Sequence, residues 1–159
     1  MIKKSMLLVL VALLLIAVPA SAKENVRVGD KINVFVGPYE YQADQPFHVS
    51  QGWIALPDGI PVGLVDFMLD VDDEYFDVDF TEIGATTPLW GQRPYPFKNW
   101  IVNFPEGMDA GQRTITAHWF GPCQKAVDAG EYPGRCPIKN EQVEISTHSL
   151  EINFTSEAP

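Results

Sequence analysis

Lysine and arginine are scarce in this chain, 11 in 159 residues against 21 aspartates and glutamates. Nucleic acids and anionic membranes are bound by clustered cations that neutralise phosphate, so this balance argues against both as partners. Cysteine is scarcer still, at two. Past the N-terminus no apolar run approaches the roughly 20 residues needed to span a bilayer, and helical periodicity is nearly absent. The sequence contains no glycine-rich phosphate loop and no nucleophile–base motif. It therefore implies neither a cofactor nor an enzymatic reaction.

The one long apolar run is at the start. Lys3 and Lys4 precede it, it extends from Met6 to Val18, and Ala20-Ser21-Ala22 follows as a small-x-small cleavage site. That order is the signature of a signal peptide over residues 1–22. The expectation is a secreted or cell-envelope protein whose mature chain, residues 23–159, is one domain with no membrane span after cleavage. The mature chain has nine basic and 21 acidic residues, a formal charge of −12.

The rest reads as short alternating segments separated by Gly, Pro, Asn and Asp. Seven strands are predicted, over residues 31–36, 47–54, 64–71, 75–80, 99–104, 112–120 and 142–154. The pattern is clearest in the third and fourth. There Val65, Phe67, Leu69 and Val71 share one face, as do Phe76, Val78 and Phe80, while Asp66, Asp70, Asp77 and Asp79 point the other way. Period-2 alternation of this kind marks a half-buried antiparallel pair. One helical turn is expected at 123–130, ended by Gly130. Seven strands at this spacing predict an all-β, antiparallel β-sandwich.

The segment "FPEGMDAGQRTITAHW", Phe104 to Trp119, resembles the corner between the fifth and sixth strands of immunoglobulin-like and fibronectin type III-like domains, where a proline- or glycine-bearing turn leads into a Thr-rich alternating strand. The resemblance implies an immunoglobulin-like sandwich with Trp53, on an early strand, as its core tryptophan. A fold of this kind leaves the function open.

Cys123 and Cys136 both follow the sixth strand, with twelve residues between them. Structural zinc favours cysteines two to four residues apart and a second ligand pair, which this chain lacks. A blue-copper site needs a histidine soon after its cysteine, and "QKAVDAG" after Cys123 supplies none. In an exported protein two cysteines are expected to oxidise to a disulfide. The bridge would brace a loop containing Pro133, Gly130 and Gly134.

Three other features are candidate sites. "LDVDDEYFDVDF" holds Asp70, Asp72, Asp77 and Asp79 among its acids. Either hairpin register allowed by the apolar pattern sets one aspartate opposite another, which is destabilising unless a neighbouring cation, solvent or a bound ion such as calcium offsets it. His48, His118 and His148 are candidate copper or zinc ligands if the fold gathers them. "PLWGQRPYPFKNW" crowds Trp90, Tyr95 and Phe97 around Arg93, a composition suited to stacking on a glycan or burial in a protein partner, or to capping the core. Asn153-Phe154-Thr155 fits the glycosylation sequon. The reading that unites these features is a non-catalytic extracellular binding or structural module with a protein or glycan partner. An extracellular metal-binding protein is the alternative.

Overall fold

The computed structural model describes residues 25–86, 93–136, 138 and 141–156. The predicted signal peptide and Trp90 lie outside these residues. Nine strands form: β1 (Asp30–Ile32), β2 (Glu40–Gln42), β3 (Phe47–Ile54), β4 (Asp66–Val71), β5 (Glu74–Phe76), β6 (Phe80–Ala85), β7 (Pro96–Phe104), β8 (Gly111–Pro122) and β9 (Gln142–Thr155). A 3-10 turn, Val62–Leu64, precedes β4, and one short helix, α1 (Cys123–Asp128), follows β8.

The strands make two sheets, ordered β1-β3-β7-β6 and β2-β9-β8-β4-β5. The all-β sandwich expected from the alternation is therefore present. Two of its details differ from that expectation. There are nine strands instead of seven, and β1–β3 and β2–β9 pair in parallel, while the other pairings are antiparallel.

Side chains that alternate inward fill the space between the sheets. At one end Phe47 stacks on Phe104 with ring centroids 4.6 Å apart, and Phe154 and Phe76 pack around them. Toward the other end Phe67 stacks on Trp100 at 5.3 Å and meets Trp119 edge-on at 5.5 Å. Among the described residues Trp100 and Trp119 are the buried tryptophans. Trp53, expected in that role, is only half-buried; its indole N–H donates to the Ile60 carbonyl at 3.2 Å and props the loop after β3.

The predicted fourth strand, residues 75–80, is a correction. The apolar alternation through Phe76, Val78 and Phe80 is continuous, but the chain leaves one sheet at Phe76 and enters the other at Phe80. The peptide N–H of Asn103 on β7 donates to Asp79 at 2.8 Å, which anchors the crossing. Neither predicted pairing of aspartates occurs as a result. Asp66 lies opposite Phe120, and Asp70 lies opposite Tyr75 and Thr116. The β4–β5 hairpin turns on Asp72 and Asp73, with φ of 52° and 70°. Positive φ at both central residues is what a tight two-residue hairpin requires, and aspartate tolerates it better than most side chains.

Candidate functional site

The strand order brings the connections after β3, β6 and β8 to one end of the sandwich; their described residues are 55–65, 86 and 93–95, and 123–136, 138 and 141. The first packs against the two strands that flank the third. Ile60, fully buried, packs beside Gly121 so closely that a Cβ there would sit 3.2 Å from its Cδ1, and Ile145 closes the other side. The amide of Thr86 donates to the Tyr95 carbonyl at 2.8 Å, and the Tyr95 amide returns a bond to the Thr86 hydroxyl at 2.9 Å. These bonds extend the β6–β7 ladder into the connection and fix where Tyr95 stands.

A groove of about 530 Å³ runs along this end, walled by Leu56, Pro57 and Pro61 on one side and Arg93, Pro94 and Tyr95 on the other. Leu56 is 57% exposed. Of the residues that sequence composition marked for partner binding, Arg93 and Tyr95 line the groove. Phe97 stands on β7, half-buried, with its ring over Gly84 where a Cβ would come within 2.7 Å of Cζ. Leu56 and the prolines facing Tyr95 carry no sequence signal, since "LPDGIPVG" reads only as a linker.

The third connection is stapled. Cys123 and Cys136 form a disulfide, with Cα atoms 5.6 Å apart. Helix α1 begins at Cys123 and stops where expected, with Gly130 at φ 74° and its N–H bonded to the Val127 carbonyl. Ala126 reaches the core, and the amides of Glu131 and Tyr132 both bond the Ala126 carbonyl. The segment is thus anchored by packing as well as by sulfur.

The candidate metal ligands are spread out. Asp72 is tied to the neighbouring strand β8: it accepts from the Thr114 amide at 2.8 Å and from Arg113 at 3.1 Å. The Thr114 bond, helped by the Arg113 guanidinium, holds its carboxyl below the usual aspartate range. Asp77 is exposed, and Asp79 holds Asn103 on the opposite sheet. His48 is buried on the outer side of the first sheet, its Nδ1 2.9 Å from the Val28 carbonyl. His148 is exposed and stacks on Phe35 at 4.5 Å. No group of three His, Cys, Asp or Glu side chains among the described residues is placed to hold a metal ion.

His118 has a different role. On the outer face of the second sheet its Nε2 lies 2.7 Å from Asp70 and its Nδ1 2.7 Å from Glu144. A neutral imidazole has one N–H and cannot donate to both carboxylates; the imidazolium can. Burial alone would lower its pKa, but the bonds to Asp70 and Glu144 outweigh this and raise it. The cation ties β4, β8 and β9 together through Asp70, His118 and Glu144. A bulge between Trp119 and Phe120 sets Glu144 beside this histidine by leaving Ile145 as an extra residue.

No family model and no curated protein matches the chain. Among solved structures it is similar to a cysteine protease inhibitor from Entamoeba histolytica, at 9% identity and a TM-score of 0.42, over 79% of this chain and 95% of that one.

Among the described residues no helix is long and apolar enough to cross a membrane.

Proposed function

We propose that this protein is a non-catalytic, extracytoplasmic immunoglobulin-like module that binds a protein or glycan through the loop end of its sandwich. The strand order supports the immunoglobulin-like reading. The sheet β1-β3-β7-β6 corresponds to the A-B-E-D sheet of that fold, and β9-β8-β4 to G-F-C, with β2 and β5 added at its margins. Loops gathered at one end of such a scaffold are where recognition surfaces form. The disulfide and the small acidic chain fit export.

The observation that carries the proposal is the groove itself. Leu56 remains mostly exposed beside Tyr95 and three prolines, on connections otherwise fixed by the Trp53–Ile60 bond, the Thr86–Tyr95 bonds and the disulfide. A rigid apolar surface loses little entropy on binding.

The test is affinity capture from the source culture with three immobilised proteins: wild type, a Leu56→Ser/Tyr95→Ala variant, and a Glu106→Gln/Asp109→Asn variant altered at the opposite end. Material retained by the wild type and the opposite-end variant, but lost by the loop-end variant, is the expected result. If all three capture the same material, the loop end is not the binding surface.

A further inference from the structure

Four strands terminate the two sheets. Three of them, β1, β2 and β5, are three residues long, whereas β6 has six. Sheet edges expose unpaired backbone groups, and monomeric proteins protect them by keeping edge strands short or by placing lysine, proline or a bulge on them. β6, of sequence FTEIGA, has none of these protections. Its register with β7 is unbroken from Phe80 to Ala85. Its one charge, Glu82, is paired with Arg27. Thr81, Ile83 and Ala85 are exposed, Ile83 at 71%.

The ladder shows which backbone groups are free to bond outward. The Thr86 amide bonds the Tyr95 carbonyl, so the even-numbered residues of β6 turn their peptide groups toward β7. In an antiparallel ladder the alternate residues turn theirs away, and Thr81, Ile83 and Ala85 therefore present N–H and C=O to the open edge. Among the described residues nothing bonds to that edge.

We propose that β6 pairs antiparallel with β6 of a second copy of this chain, in the register that sets Ile83 opposite the partner's Ile83. That register matches outward-facing residues with outward-facing residues, because Thr81 meets the partner's Ala85. All three outward residues of each strand then bond across the interface. It also stacks Ile83 on Ile83 across the two-fold axis. Charge selects the same register. Glu82 falls opposite the partner's Gly84, whereas centring the pair one residue earlier would oppose two Glu82 side chains, which is destabilising. A second copy is otherwise repelled by a strongly acidic chain. At this edge the Arg27–Glu82 pair is neutral, and Lys98, opposite Ile83 on β7, adds positive charge.

Sedimentation equilibrium over a concentration series tests this with wild-type protein, Ile83→Lys and Leu56→Lys. The exposed position of Ile83 leaves the fold of its variant intact. The expected result is a concentration-dependent wild-type dimer, an unchanged Leu56→Lys dimer, and a dissociation constant raised at least about tenfold by Ile83→Lys. Amide exchange reads the register. Protection of Thr81, Ile83 and Ala85 should grow with concentration, while that of Glu82 and Gly84 stays constant. A wild-type monomer at every concentration would overturn the proposal, as would a dimer that survives Ile83→Lys or is lost with Leu56→Lys, or concentration-dependent protection at the even positions.

Discussion

The two ends of the sandwich are built from opposite materials. At the turn end, Asp44, Asp72, Glu74, Glu106 and Asp109 rim a cleft of about 690 Å³ over Phe76, Phe104 and Met108. The turns there are tight and tied together. The Asp44 amide bonds the Met108 carbonyl at 2.9 Å, and Gly107, at φ 70°, lies so near Gln45 that a Cβ would collide with its carbonyl. At the loop end the connections are long, the groove is apolar with Arg93 as its charge, and a disulfide closes the largest connection. Hydrogen bonds and close contacts between turns distant in sequence hold the turn end, while a disulfide, short-range hydrogen bonds and buried side chains hold the loop end. The latter arrangement leaves apolar surface exposed at Leu56.

The largest test of this contrast removes the covalent anchor. Cys123→Ser/Cys136→Ser should lower stability by about 3 kcal/mol in denaturant titration. Amide exchange should quicken in residues 123–136 and change little around Asp44 and Gly107. Uniform quickening at both ends would mean that they are not separately held.

A smaller loss is expected midway between the ends, at His118. Its folded pKa is raised, so its stabilisation is complete below the unfolded value of about 6.5 and is lost as pH rises through the folded value. Replacing it by Gln should therefore cost roughly 1–2 kcal/mol at about pH 5 and less at about pH 8. Thermal melts of the two proteins across that range measure it. A difference that grows with pH would show that the histidine is neutral in the folded protein.

The smallest effects, of opposite sign, belong to two neighbours at the turn end. Asp73→Gly should stabilise by about half a kcal/mol, because glycine relieves the positive φ and the bond from the residue 73 amide to Asp70 remains. Asp72→Gly relieves the same strain but discards the bonds from Thr114 and Arg113, for a net loss of about 1 kcal/mol. Equal effects at both positions would mean that the side chain of Asp72 contributes nothing to the turn.

Local pattern revealed much of this fold. β3 forms over the predicted residues, and β7, β8 and β9 contain theirs with short extensions, because each alternates between clear turn residues. The split between β5 and β6 was hidden because a chain can change sheets without changing its apolar period. β2 was missed because three residues after Gly37-Pro38 are too few to show a period. In the candidate site Arg93 and Tyr95 were legible as part of an aromatic-rich connection, whereas Leu56 gained its meaning only from facing them. The opposed aspartates expected of the hairpin do not form, so the repulsion that was to need offsetting is absent; Asp72 pairs with Arg113 and Asp70 with His118 for reasons of strand order that the hairpin pattern did not carry. Asp70 and His118 are 48 positions apart, and no spacing rule links them.

The extra residue in β9 gives one strand two phases. Below it Leu150, Ile152 and Phe154 face the core; above it the inward positions shift to Val143 and Ile145. A relative or redesign that lost a single residue between Ile145 and Leu150 would alternate without a break from Val143 to Phe154, and could keep Glu144 opposite Phe120 with no extra residue at all. The added residue thus reconciles two apolar phases that the chain carries at their present spacing, and spacing and bulge must change together.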